Sequence, residues 1–589
     1  MSGFDHGGAG IFRCRTYYLS MTVRGRWRGF MSKLMGGVAA MAVMLGAPLA
    51  HAAEAPLMTV VIKPAKVVEA QSDIDVTMTI PDVTVAAGAP FLSMGMFTPG
   101  LSRPAVLKNL QVTDASGVVP LTDNAGKNGP RGWSPSRAVS GPTTIRYTVL
   151  AENIPALAGG PPTALRVDGD AVSGSGGTII MATPGIRGDY RIALKWDVAA
   201  MGAGVEGVSS WGDGDVTLPA GPIARLDRAI YMAGTLEREP ATQKGAFSAV
   251  WVKGQPPFDP RPPMQMTARM HHYMSGFFKD ESEPPYRVFM RYNPMNAGGG
   301  AALTHSFLIT YGRNITAESF TAILGHEMTH TWTAGGMDKW YSEGNAVYYQ
   351  ALLPWRAGLF TTEQYLADLN ETAYRYFANA LRSTPESEVV PRFWEDTRIR
   401  VLPYDRGAMY FAVLNGKIRR ASGGKRSIDD LILTMVKRDQ KGETLTEAAW
   451  LDLLQKELGE DGPATHRSML AGGLMAPQSD DFGPCFRRVT KQMRQFDLGF
   501  DNASITTNPK VIKGLKPDSE AAKAGLKDGD VVTYAVALDS VQGDINRKLE
   551  LQVTRDGKTF PLSYLPRGAA VDVYQWERVA GVPEAKCKS

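Results

Sequence analysis

The stretch His326-Glu327-Met328-Thr329-His330 constrains this chain more than any other. On an α-helix, residues four apart share one face, so the two imidazoles project together toward one metal ion. Glu327 stands beside the first of them, where its carboxylate reaches a water at that ion and takes its proton. A third ligand must come from elsewhere, and Glu343 is the candidate. Twelve residues separate it from His330, enough to end one helix at Gly335-Gly336 and begin another. Two His and one Glu leave a fourth coordination position open, which is the arrangement of catalytic rather than structural zinc. The flanks agree with a helix. Thr316 is a capping residue, and Glu318 falls in the first turn near the positive end of the dipole. Ile323 and Leu324 supply apolar residues, and the glycine pair supplies a stop. The chain has only eight His, and two of them form this pair, which argues against a chance pattern on a solvated face.

The chain has 589 residues, so several domains are expected. Its 44% apolar and 21% charged residues are those of a folded protein and exclude a disordered class. The formal charge of +5 misleads. Of 64 basic and 59 acidic residues, six basic ones and Asp5 lie in residues 1–52, and the remainder balances at 58 of each sign. No general bias toward nucleic acid or anionic membranes remains. Those first 52 residues read as an export signal. Arg24, Arg26, Arg28 and Lys33 precede a mostly apolar run, Leu34 to Leu49, and Ala50-His51-Ala52 is a small-x-small cleavage site. The run is short for a bilayer and is broken by Gly46 and Pro48, so cleavage is favoured over an anchor. No twin-Arg pair and no following Cys occur, which points to the general secretory route and to a periplasmic or secreted product with no stable membrane span. Cys485 and Cys587 remain after Cys14 leaves with the signal. In an oxidising compartment they form a disulfide or stay two unrelated thiols.

From about residue 53 to 222 the chain reads as β. Thr59-Val60-Val61-Ile62 and Thr144-Ile145-Arg146-Tyr147-Thr148-Val149 are β-branched runs punctuated by Gly, Pro, Asn and Asp. Gly159-Gly160-Pro161-Pro162 and Gly174-Ser175-Gly176-Gly177 read as loops, and the region as an antiparallel sandwich or saddle. Residues 223–355 bring further strands, Phe247–Val252 and Tyr286–Tyr292, and then the metal helices. His271-His272 lies between those strands. Sequence neighbours diverge on strand and helix alike, so a surface or core role is expected there. Residues 356–480 carry helical spacing, as in Gln364–Leu369 and Asp429–Leu433. Their basic pairs Arg419-Arg420 and Lys425-Arg426 are offset by Asp429, Asp430, Glu443 and Glu447, which reads as a solvated face.

Residues 486–578 change character. Leu498-Gly499-Phe500, the run Ser519-Glu520-Ala521-Ala522-Lys523-Ala524-Gly525-Leu526 and the turn Asp528-Gly529-Asp530 resemble a bacterial PDZ domain. The first triplet is similar to its carboxylate-binding loop, which implies peptide C-termini as partners, added as a strand. The catalytic half resembles the exported PDZ-containing zinc metallopeptidases of the glycyl aminopeptidase type, within the broader gluzincins. Trp340-Tyr341-Ser342-Glu343-Gly344, Tyr348-Tyr349 and Arg356-Ala357-Gly358-Leu359 carry that likeness. So does Tyr404-Asp405-Arg406-Gly407-Ala408, with Arg406 where the family pattern has Lys.

The resemblance implies one zinc per chain on His326, His330 and Glu343, with Glu327 as general base and Tyr404 as hydrogen-bond donor to the oxyanion. Together with the residue patterns above, it gives an α+β multidomain fold as the expectation: an N-terminal β-sandwich or saddle domain (53–222), a thermolysin-like catalytic domain with the HExxH helix (223–355), a helical domain (356–480) and a C-terminal PDZ-like domain (486–578). Gly298-Gly299-Gly300-Ala301-Ala302-Leu303-Thr304-His305 stands where the family has a Gly-Gly-Leu-Glu-His substrate segment, so Gly299, Gly300 and Thr304 are its substrate-binding candidates. The family's Glu neutralises the substrate's free amine, and Thr304 cannot. The expected activity is hydrolysis of peptides or proteins, of aminopeptidase type. An endopeptidase of the same chemistry and a non-catalytic periplasmic PDZ scaffold are the alternatives. The intact set of His326, Glu327, His330, Glu343 and Tyr404 argues against the scaffold.

Overall fold

The computed structural model describes residues 54–96, 103–124, 130–154, 163–241, 247–280, 285–292, 299–311, 317–333, 337–534 and 538–587. The proposed export signal, the loop 159–162, Gly298, Thr316 and the Gly335-Gly336 stop lie outside these residues, as does the side chain of Glu318.

Period-two burial organises the N-terminal domain. In the strand Gln71–Val85, Ile74, Val76, Met78 and Ile80 point inward while alternate residues face out. This strand sits inside a seven-stranded sheet. A second, five-stranded sheet shares its apolar core, contributing Val167, Val172 and Tyr231. Two expectations change here. The strand Ile230–Gly234 lies beyond the expected boundary at 222, yet it pairs within this second sheet. Gly174 and Ser175 end a buried strand, Ala171–Ser175, rather than forming a loop. Their glycines serve close packing. A Cβ on Gly174 would lie 2.9 Å from Leu165 Cα, and one on Gly176 would collide with the carbonyl oxygen of Leu226.

The next sheet runs in the order Leu236–Glu239, Phe247–Val252, Tyr286–Tyr292, Ser306–Tyr311, Gly299–Leu303. The three inner strands are parallel and the two edge strands antiparallel to their neighbours. The inner strands are almost wholly buried, so their sequences do not alternate apolar with polar, and Arg287 and Arg291 are their charged exceptions. Helix α1 (Arg261–Phe277) joins two of them; its Pro262-Pro263 sits in the first turn, where a missing N–H costs nothing. His271 on α1 is a core residue against Tyr286 and Trp332, while His272 is exposed. Buried polar groups fasten this sheet to the N-terminal domain. Arg291 donates to the carbonyls of Ala164 at 2.6 Å and Ser173 at 3.1 Å, and the Tyr292 N–H donates to Asp168 at 2.7 Å.

Helix α2 (Ala317–Thr333) carries His326–His330, and α3 (Lys339–Arg356) carries Glu343. The helical region continues as α4 (Thr362–Phe377), α5 (Glu386–Arg392), α6 (Thr397–Arg400), α7 (Leu402–Ala421), α8 (Ile428–Gln440), α9 (Glu447–Leu458) and α10 (Asp461–Leu470). Helix α4 starts with a capping box between Thr361 and Gln364. Two of the basic residues here are paired, mainly with other partners than expected: Arg420 meets Asp481 at 2.6 Å and Arg426 meets Glu457 at 2.7 Å.

The C-terminal module combines a ribbon, Phe486–Phe496 with Arg567–Arg578, and a three-stranded sheet, Val531–Thr533, Leu549–Arg555 and Lys558–Tyr564. Two short helices, α11 (Glu520–Lys523) and α12 (Leu538–Gly543), complete its separate small core. Cys485 and Cys587 are joined as a disulfide that brackets the module. The module docks on α4: the Asn370 side chain bonds the backbone of Trp576 in both directions, and Tyr374 donates to the carbonyl of Arg494 at 2.8 Å. Among the described residues no helix is long and apolar enough to cross a membrane.

Candidate active site

Glycines set how closely the site's helices approach. A Cβ on Gly325, next to His326, would lie 2.4 Å from the carbonyl oxygen of Gln350, so α2 and α3 cross backbone to backbone. Gly344, next to Glu343, meets Gly407 of α7 in the same way. These crossings bring α2, α3 and the first turn of α7 to one point. Trp340 and Tyr341 hold α3 from behind, edge-on to Tyr410 and Trp450 respectively.

At that point the Nε2 atoms of His326 and His330 each lie 3.4 Å from one carboxylate oxygen of Glu343. The three ligand atoms all fall within 4.8 Å of one another. Behind His326, its Nδ1 is 3.2 Å from Gln350 Oε1, and Gln350 Nε2 lies 3.0 Å from both oxygens of Asp368. A carboxylate only accepts, so the Gln350 amide donates to Asp368 and turns its oxygen to His326. That oxygen fixes the proton on Nδ1 and leaves an Nε2 lone pair facing Glu343. The site thus gathers acceptors, and only a cation or a proton between them makes the cluster stable. Burial pushes the Glu343 carboxyl up, but with a proton rather than a metal on each Nε2 the hydrogen bonds it accepts from His326 and His330 outweigh this and hold it well below the carboxylate range. Burial pushes His330 down, and the hydrogen bond and charge of Glu343, with the charge of Glu327, turn the balance upward. Two imidazoles and a carboxylate converging at one point, with His330 and Glu343 buried, fit a zinc ion.

Glu327 is buried in the same turn of α2. Tyr404 opens α7 and stacks on the His326 ring, with centroids 6.1 Å apart and planes 19° apart. Four of the expected residues therefore converge around His326: His330, Glu327, Glu343 and Tyr404.

Two of the substrate-binding candidates, Gly299 and Gly300, lie on the edge strand Gly299–Leu303, which has α2 alongside it. Thr304 and His305 form its two-residue turn, with Leu303 paired to Ser306. The Thr304 N–H donates to the carbonyl of Arg228 at 2.9 Å. Gly300 is accounted for by packing, since a Cβ there would collide with the Phe307 ring. In the C-terminal module, Gly499 has φ +82°, as a tight loop requires, and Leu498 and Phe500 are buried in its core. The Gly499 N–H donates to Asp497 at 2.9 Å, and Lys516 pairs with the other oxygen of that carboxylate. The next residues, Asn502–Ile505, form a 3-10 turn rather than an extended edge.

No sequence motif marks Gln350 or Asp368. Gln350 was findable as a polar residue inside the apolar run of α3; Asp368 acts only through the tertiary fold.

A family model described as M61 glycyl aminopeptidase matches residues 335–389. The chain is similar to the crystal structure of an aminopeptidase N family protein from Idiomarina loihiensis, at 14% identity and TM-score 0.64, over 90% of this chain and 99% of that one. It is also similar to an M1 zinc metallopeptidase from Deinococcus radiodurans, at 18% identity and TM-score 0.44, over 72% and 94% of the two chains. A third is native leukotriene A4 hydrolase from Saccharomyces cerevisiae, at 12% identity and TM-score 0.45, over 72% and 69%. No curated protein matches. The first of these structures shows the fold: a mixed α/β multidomain architecture like that of the aminopeptidase N family protein.

Proposed function

We propose that the chain is an exported zinc metallopeptidase that hydrolyses peptide bonds, most simply as an aminopeptidase. The convergence of His326, His330 and Glu343 beside the Tyr404 ring carries this reading, and the glycyl aminopeptidase match over the Glu343 segment supports it. His326, His330 and Glu343 would hold the metal. When bound, zinc acts as a Lewis acid and makes water acidic enough to ionise near neutral pH. Glu327 takes the water's proton and passes it to the departing amine. The Tyr404 hydroxyl donates to the oxyanion of the tetrahedral substrate carbon, charge that exists only near the transition state. Gln350 and Asp368 hold His326 in the tautomer that leaves Nε2 bare. The peptide lies along the free edge of Gly299–Leu303, whose outward backbone groups accept an added strand.

Thr304 favours a second reading, an endopeptidase of the same chemistry. A threonine at the end of the substrate strand leaves a free N-terminal amine without its motif carboxylate. The C-terminal module is read as PDZ-like, with Leu498-Gly499-Phe500 as its carboxylate loop. Asp497, already bonded to the Gly499 amide, competes there with any peptide C-terminus.

The test is hydrolysis by the purified mature chain of matched peptides with free and blocked N-termini, before and after a zinc chelator. Chelator-sensitive cleavage restored by zinc is expected. A free-amine requirement selects the aminopeptidase reading, and equal rates select the endopeptidase. Absence of cleavage with zinc fully bound would refute both.

A further inference from the structure

Tyr404 stands in the first turn of α7, and no side chain caps that helix. The intrahelical ladder is incomplete in a first turn, so outside contacts must fix the phenol's place. The next three residues each reach a different element. Asp405 accepts from Arg375 of α4, with Nε at 3.1 Å from both oxygens and Nη2 at 2.5 Å from one. Arg406 donates to the carbonyl of Thr384 at 2.6 Å and pairs with Glu386 at the start of α5. Gly407 lies against Gly344 of α3.

The Arg375–Asp405 tether differs from the others. Both side chains are buried, at 3% and 0% exposure, so the pair is held in a low-dielectric setting where a two-pronged geometry is rigid. It is also closed over from outside the helical domain. Arg375 has a second partner, Glu371, at 2.8 Å. A Cβ on Gly543 of α12 would lie 3.4 Å from both Arg375 Cδ and Glu371 Oε1, so the C-terminal module sits directly on this pair. Asp539 of the same short helix pairs with Arg400 of α6, immediately before α7. Adjacent residues on a helix point about 100° apart, so a slip at Asp405 rotates the Tyr404 phenol about the axis of α7.

We propose that Arg375 is a positioning residue that acts on Tyr404 through Asp405, with the C-terminal module as the wall that holds it in place. The inference rests on the reading of Tyr404 as the oxyanion donor. It assigns the module a part in catalysis that needs no peptide in its groove.

The experiment is a double-mutant cycle on the zinc-loaded full chain, with Arg375→Met and Tyr404→Phe alone and together. Arg375→Met should lower kcat by about 10- to 100-fold with KM changed less than about 2-fold and zinc content intact. In the Tyr404→Phe background the same change should lower kcat by less than about 2-fold, because the hydroxyl that Arg375 positions through Asp405 is gone. Arg375→Lys should recover part of the loss. If Arg375→Met does not fold, the isosteric Asp405→Asn reads the same cycle. A merely structural role lowers kcat equally in both backgrounds, and that result, or an undiminished kcat in Arg375→Met, overturns the proposal while Tyr404 keeps its role. Undiminished kcat in Tyr404→Phe alone removes that role and the proposal with it.

Discussion

Replacing Gly344 by Ala puts a methyl group 2.8 Å from Gly407 Cα, 2.9 Å from its carbonyl carbon and 3.1 Å from Phe411 Cε2. Ordinary contact begins near 3.4 Å, so α3 and α7 must part by about 0.6 Å. Two of the three obstructing atoms are backbone, so no side-chain rotation relieves the clash. The groups that move are those of the site. Glu343 precedes Gly344 on α3, and Tyr404 lies one turn before Gly407 on α7. Overpacking of this kind costs about 1–3 kcal/mol in stability. A misplacement near 1 Å costs a reaction up to about 10²-fold, so a shift of this size is expected to lower kcat about 10-fold. Urea unfolding, zinc content and steady-state kinetics on Gly344→Ala measure the three consequences together. A variant less stable but fully active would refute the claim that this helix crossing sets the active geometry.

Gln350→Leu removes the acceptor that fixes the His326 tautomer and should weaken zinc binding about 10- to 100-fold, measured by competition with a chelator. Burial pushes the His466 imidazole below its ordinary value of 6.5, although Glu447 pulls the other way. The unfolded chain therefore binds more protons below that pH, so stability is complete above about pH 6.5 and declines as the pH falls further. The urea midpoint of His466→Gln should accordingly fall less than that of the wild type between pH 7 and 5. The Cys485–Cys587 bond spans 102 residues. In the chain-entropy model a loop of about 100 residues contributes about 4.7 kcal/mol, so reduction should lower the unfolding free energy of the C-terminal module by up to that amount. Thiol titration of the unreduced mature protein, without Cys14, should find none free.

What the sequence made legible was local. Two His four apart define one helix face wherever that helix lies, and Phe247–Val252 and Tyr286–Tyr292 fold as the strands their residues propose. Helix α1 carries no motif that marks it in the sequence, and Pro262-Pro263 fits it because both lie in its first turn. Gly174–Gly177 read as a loop because composition does not distinguish a glycine that turns from one that makes room. The Gln350–Asp368 link and the Arg375–Asp405 pair are set by how α3, α4 and α7 pack. Thr304 was recognised as a departure, yet the turn that places it and the carbonyl of Arg228 that holds it belong to the tertiary fold.

The central claim is that His326, His330 and Glu343 hold a zinc ion which Glu327 serves as base. Glu327→Gln keeps the shape of the side chain and removes only its capacity to accept a proton. Zinc content and peptide hydrolysis measured on the same preparation of this variant test the claim most directly. The account predicts one zinc per chain and nearly complete loss of turnover. Wild-type turnover by the variant, or a zinc-free wild-type protein of undiminished activity, would contradict it.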